Sequence, residues 1–80
     1  PDEESFITSP IVGTFYSAAS PETPAFVRVG DTVKKGQPVC IVEAMKLMNE
    51  VKSTVSGTVK KILAKDGDAI KKGQTIAIIG

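Results

Sequence analysis

Residues 30–42 read GDTVKKGQPVCIV, and residues 67–79 read GDAIKKGQTIAII. The two segments align without a gap: seven of thirteen positions are identical and three more exchange Val for Ile. Agreement on that scale, at an offset of 37 in a chain of 80 residues, marks two copies of one structural unit. Upstream, VGTF (12–15) answers SGTV (56–59), but at an offset of 44. The first copy therefore holds seven extra residues, and they lie between Phe15 and Gly30, where the chain reads YSAASPETPAFVRV. Ser20, Pro21, Glu22, Thr23 and Pro24 are turn formers, because proline fixes φ and withdraws a backbone donor. A loop over 17–25, completed by Ser17, Ala18, Ala19 and Ala25, is predicted to project from the first copy alone.

Outside that loop the pieces are short: FITSP, GTFYS and PVCIVE in one copy, EVKST, GTVKKILA and QTIAIIG in the other. They are rich in β-branched residues and bounded by Gly, Asp or Pro, which is how strands are punctuated. Gly30-Asp31 and Gly67-Asp68 give one pair of turns; Lys34-Lys35-Gly36 and Lys71-Lys72-Gly73 give another. About eight antiparallel strands follow, four per copy. Neither copy alone buries both of its apolar faces, so the prediction is all-β. Two four-stranded antiparallel sheets pack as a flattened barrel or sandwich with an approximate two-fold axis. Because Lys34 and Lys35 recur as Lys71 and Lys72, all four are read as solvated turn residues.

Composition narrows the function. The chain is one small domain, with no room for a second. Ten basic against nine acidic residues, with neither sign in a block, argue against nucleic acid or an anionic membrane as partner. No apolar run approaches a membrane span, and no signal-peptide pattern is visible. A single cysteine, Cys40, excludes an internal disulfide, and the absence of histidine removes both the usual general base and a metal cluster. Cys40 sits between Val39 and Ile41 in an apolar run and is read as core filler. No catalytic residue and no metal ligand is assigned; if the protein takes part in chemistry, it carries a group. The polar start PDEES, without an initiator methionine, reads as a piece of a longer polypeptide, without order up to Phe6.

The copies join at IVEAMKLMNE, residues 41–50. Glu43, Ala44, Met45, Lys46, Leu47 and Met48 are good helix formers, and a one- or two-turn helix is the competing reading. The repeat disfavours it: a helix needs loops at both ends that the sequence does not supply, and one so short is marginal in water. If PVCIV and NEVKST instead pair as neighbouring strands, a tight turn centred on Met45 and Lys46 sets Ala44 opposite Leu47 and Glu43 opposite Met48. Neither central residue is the Asn or Gly that such a turn prefers. A broken local rule is a candidate functional position.

EAMKLM closely resembles the attachment motif of biotinyl domains, Ala-Met-Lys followed by Met or Leu. The resemblance covers essentially the whole chain, from SPIVGTFY to the last strand. VGTFY followed by SPETPAFVRVGD further resembles the carrier proteins of acetyl-CoA carboxylase, which have a protruding thumb where this chain has its insertion. The resemblance implies the barrel-sandwich hybrid fold, in the C-terminal biotinyl domain of such a carrier, with biotin amide-linked to Lys46. A lysine ammonium is a poor nucleophile, so a biotin protein ligase must supply an activated biotinyl-adenylate. Met45 and Leu47 are then the ligase's apolar handles, since a flexible thioether adapts to more than one surface. Ala44 completes the motif, Glu43 steers modification, and Met48 either assists or packs inward. Family members often carry a hydroxyl residue near the start of the thumb that contacts the biotin head. Here Ala18 takes that place, leaving backbone or Ser17 to make any such contact.

The implied role is non-catalytic. The domain carries a carboxyl group on biotin from biotin carboxylase to carboxyltransferase, for malonyl-CoA and fatty-acid synthesis, in a bacterial cytoplasm or, alternatively, a plastid. The rivals are a biotinyl domain of another biotin-dependent carboxylase, decarboxylase or transcarboxylase, a lipoyl domain, and a β-sandwich interaction module that carries nothing. Lipoyl motifs usually place Asp before the lysine and Ala after it, whereas Met45 and Leu47 match biotin.

Overall fold

A computed structural model describes residues 3–80 of the chain. It contains eight strands and no helix: β1 Ser5–Thr8, β2 Gly13–Tyr16, β3 Thr32–Val33, β4 Pro38–Ala44, β5 Leu47–Lys52, β6 Gly57–Ile62, β7 Ala69–Ile70 and β8 Thr75–Ile79. The six pieces read from sequence supply six of them. The other two, β3 and β7, are two-residue strands inside the GDTV and GDAI repeats. Residues 1–2 of the expected disordered start lie outside the described residues. Ser5 corrects the rest of that expectation by one residue, because it already pairs with Ile79.

The strands form two four-stranded antiparallel sheets, ordered β1-β8-β6-β3 and β5-β4-β2-β7. Replacing each strand by its counterpart in the other copy turns one order into the other, so the pseudo-two-fold is complete at the level of topology. The sheets, however, are not the copies. Each draws two strands from either copy, because β2 pairs with β7 and β6 with β3. The Gly30 N–H donates to Val59 O at 2.8 Å, and Gly67 N–H to Phe15 O at 2.8 Å. Each copy's glycine turn is thus fastened to a strand of the other, and the two units interlock where simple face-to-face stacking was expected.

Between the sheets lies a core of counterpart pairs: Phe15 with Val59, Val33 with Ile70, and Val42 with Ile79, all buried. Such side chains each contribute roughly 1.5–3 kcal/mol by leaving water. Two buried hydroxyls obey the same symmetry. Ser9 Oγ donates to Ile11 O at 2.6 Å, and Ser53 Oγ donates to Val55 O at 2.5 Å. Each thereby meets its hydrogen-bonding need within its own turn, which is the condition for burying a hydroxyl cheaply. Lys34, Lys35, Lys71 and Lys72 are all exposed, as the repeat predicts.

Candidate functional site

The β4–β5 hairpin is built from one buried strand and one half-exposed strand. Residues 39–42 of β4 are all buried, while β5 runs along the edge of its sheet and leaves Leu47, Met48 and Glu50 in solvent. Beside β4, Gly13 lets β2 lie close: a Cβ there would stand 2.7 Å from Val42 Cγ1 and closer still to Glu43 O. The pairing expected from sequence holds, with Ala44 opposite Leu47 and Glu43 opposite Met48.

Met45 and Lys46 form the tip with φ values of 52° and 65°. Among the described residues they are the only non-glycine positions at positive φ. A two-residue turn between twisted strands needs both central residues there, and a side chain at that φ costs about 1–2 kcal/mol. Burial does not offset the cost, since Met45 is 94% exposed and Lys46 also lies in solvent. Leu47 is 65% and Met48 50% exposed, so Met48 does not pack inward, while Glu43 and Ala44 are half-buried. Three exposed apolar residues, Met45, Leu47 and Met48, therefore flank an exposed lysine on a strained turn.

Sequence reasoning missed Asn49. Its Nδ2 donates to Val42 O at 3.3 Å and to Leu47 O at 3.2 Å, clamping the hairpin just below its tip. Asn is depleted in strands, so an Asn inside LMNEVK was the available signal. Also missed was Asp66, whose Oδ1 accepts the Ser17 N–H at 2.7 Å.

The 17–25 loop leaves β2 next to this hairpin and carries no regular secondary structure. Its ends are joined by Phe26 N–H donating to Ser17 O at 2.9 Å. Its tip is clasped by the Ser20 N–H donating to Thr23 Oγ1 at 3.1 Å and the Thr23 hydroxyl donating to Ser20 O at 3.0 Å. Glu22 and Pro24 stand in solvent and Ala25 is half-buried. Between loop and hairpin runs a groove of about 360 Å³, walled by Ala18, Ala19 and Pro21 of the loop and by Glu43 and Met48 of the hairpin, with Asp66 also bordering it. Lys46 does not line it. Cys40 lies apart from the groove, fully buried, with its thiol pushed up to about 12 by desolvation. A thiol so held stays protonated and inert. No helix among the described residues is long and apolar enough to cross a membrane.

The fold thus places two interlocked four-stranded sheets beneath a lysine exposed on the hairpin that joins the two copies. The model of the family described as "Biotin-requiring enzyme" matches residues 5–79, and the chain belongs to that family. It is 54% identical over 76 residues to the biotin carboxyl carrier protein of acetyl-CoA carboxylase from Chlamydia trachomatis, covering 95% of this chain and 46% of that protein. The carrier of the same name from Pseudomonas aeruginosa is 51% identical over 73 residues, covering 91% of this chain and 47% of that one. The chloroplastic carrier from Glycine max is 49% identical over 73 residues, with coverages of 91% and 28%. The chain thus spans about half the length of the bacterial relatives it matches. Among solved structures, the urea carboxylase of Kluyveromyces lactis aligns with a TM-score of 0.82 at 38% identity, over all of this chain and 6% of that enzyme.

Proposed function

We propose that the chain is the biotinyl domain of a biotin carboxyl carrier protein of acetyl-CoA carboxylase, with biotin amide-linked to the Nζ of Lys46. The observation that carries this reading is the strained, exposed Met45–Lys46 turn at the junction of the two copies, with the carrier relatives as support. Lysine suits the task. Its Nζ displaces AMP from a biotinyl-adenylate, losing a proton as the amide forms, and the product is neutral and hydrolytically durable. The four-carbon stem then lengthens the tether. Met45, Leu47 and Met48 offer the apolar surface a biotin protein ligase would grip, and Glu43 and Ala44 fix the strand that presents them.

The residues present fit the prosthetic group. The amine is accessible, and the nearby groove offers an alanine and proline wall to an apolar ring face and the carboxylates of Glu43 and Asp66 to N–H groups of a ureido ring. Bound biotin supplies a ureido nitrogen that accepts and surrenders a carboxyl group. The chain's own contribution is position: holding a reactant near an active site raises its effective concentration, and one mobile domain serves both biotin carboxylase and carboxyltransferase. The carrier itself needs no catalytic group for this, and the product would be malonyl-CoA. The carrier relatives are bacterial and chloroplastic, which suits a bacterial cytoplasm or a plastid.

Coexpression with a biotin ligase, followed by intact mass and streptavidin binding, tests the assignment. A biotin increment that disappears in Lys46→Arg is expected. A lipoate increment points to acyl transfer instead, no increment points to an interaction module, and biotin retained by Lys46→Arg refutes the site.

A further inference from the structure

The pseudo-symmetry supplies an internal control for a residue it does not repeat. Around Gly30 the chain reads Arg28-Val29-Gly30-Asp31, and around Gly67 it reads Lys65-Asp66-Gly67-Asp68. The two turns agree bond for bond. Arg28 N–H donates to Asp31 Oδ2 at 3.0 Å and Lys65 N–H to Asp68 Oδ2 at 2.9 Å. Asp31 N–H donates to Arg28 O at 3.0 Å and Asp68 N–H to Lys65 O at 2.9 Å. The glycines sit at φ 99° and 91°. None of these bonds uses the side chain before the glycine, and in the first copy that residue is an exposed valine, Val29. The turn therefore does not need Asp66.

What Asp66 touches is the insertion that the other copy lacks. Its Oδ1 accepts the N–H of Ser17, the first residue of the 17–25 loop, at 2.7 Å. Among the described residues this is the one hydrogen bond that ties the loop to a part of the chain distant in sequence. The others join Thr23 to Ser20 inside the loop and Ser17 to Phe26, the residue that follows it. They give the loop its shape without fixing its place over the sheet.

We propose that Asp66 is a positioning residue: by holding Ser17 it fixes the base of the 17–25 loop, and through it the loop-side wall of the groove beside the Lys46 hairpin. The functional part of this rests on the carrier reading; the structural part does not. A bond from a backbone N–H to a carboxylate is among the stronger hydrogen bonds, and Asp66, which itself borders the groove, makes it to the loop's first residue.

The test compares Asp66→Val, which installs the residue of the other copy, with Asp66→Asn, which keeps an acceptor oxygen. In the unmodified chain, amide exchange of Ser17 in Asp66→Val accelerates about tenfold or more, the factor for losing a hydrogen bond to a charged acceptor. The Gly67 and Asp68 amides keep their wild-type rates, and Asp66→Asn brings Ser17 back to within about threefold of wild type. Wild-type exchange at Ser17 in Asp66→Val, or equally fast exchange in both variants, overturns the proposal. With biotinylated chain as substrate for biotin carboxylase, KM rises about threefold in Asp66→Val and recovers in Asp66→Asn, with kcat unchanged. An unchanged KM alongside faster Ser17 exchange confines Asp66 to loop structure and overturns the positioning role. Wild-type chain that accepts no biotin defeats the carrier reading and leaves the exchange result standing.

Discussion

The hairpin β4–β5 has a counterpart under the pseudo-two-fold, the pair β8–β1. Val42 faces Asn49 as Ile79 faces Ser5, Ile41 faces Glu50 as Ile78 faces Phe6, and Cys40 faces Val51 as Ala77 faces Ile7. Even the register shift falls at the same place, since Pro38 faces Lys52 as Thr75 faces Thr8. Yet one pair is closed by Met45 and Lys46, and in the other no residue connects Ile79 to Ser5. The same register is reached with and without a turn, so burial and ladder bonds set it and the turn does not. That frees the tip from any structural duty and lets it hold residues a hairpin would otherwise reject.

The largest effect expected from this division is at the tip. Lys46→Arg loses biotin labelling completely and leaves the urea midpoint where it was, because an exposed residue that sets no register has nothing to stabilise. A marked fall in midpoint would mean that the turn does help to build the fold. In the core the opposite holds. Phe15→Ala costs roughly 3–5 kcal/mol, and Val59→Ala, at the counterpart position, roughly 2 kcal/mol by its smaller volume. Since β2 and β6 each belong to a sheet shared between copies, both variants unfold in one transition. Two resolved transitions would show that the copies fold separately, against the interlocked topology.

Cys40 and Ala77 are counterparts that differ in one titratable atom, and both are buried. Burial lifts the Cys40 thiol from 9.0 to about 12, so between those values the folded state holds a proton that the unfolded state has released. Stability from this source is complete below pH 9 and declines as pH rises toward 12, by about 1.4 kcal/mol per unit. Replacing Cys40 with Ala, which copies the other half of the molecule, removes that slope. Urea melts of both proteins at pH 8, 9 and 10 isolate it as a difference, free of the titrations they share. Parallel profiles would mean that the thiol is open to solvent.

How far the sequence carries this picture depends on what repeats. The GDTVKKGQPVCIV repeat exposes the two-fold symmetry, the strand count and the solvated lysines because identical residues at one offset demand identical local structure. The hairpin register was equally readable, since centring a turn on Met45 and Lys46 picks out the pairing that burial and the ladder bonds set. Strand exchange between copies was not, because β3 and β7 are two residues long and no periodicity survives at that length. Asn49 and Asp66 escaped for a different reason. Asn49 acts through two hydrogen bonds that exist only once β4 and β5 have paired, and Asp66 through one whose partner, Ser17, is 49 residues away. The burial of Ser9 and Ser53 was likewise hidden, since an isolated serine reads as surface until its turn is known.

The smallest effect bears most directly on why the tip is made as it is. Met45 holds φ 52° while 94% exposed, so glycine in its place removes the side-chain penalty and forfeits no packing. Glycine loses more freedom on folding, which takes back part of the gain, and Met45→Gly should stabilise the chain by about 1 kcal/mol. Met45→Ala keeps the strain and should leave stability within about 0.5 kcal/mol of wild type. Both lose the thioether, so labelling by the ligase should slow in both by a similar factor, read as kcat/KM. A ligase that labels Met45→Gly at the wild-type rate would free Met45 from recognition and leave its strain unexplained. Slower labelling of a more stable protein would instead tie that strain to the side chain a partner must grip. The contrast with β8–β1 would then be one of selection: where no partner reads the ends of the strands, the same register carries no strained residue.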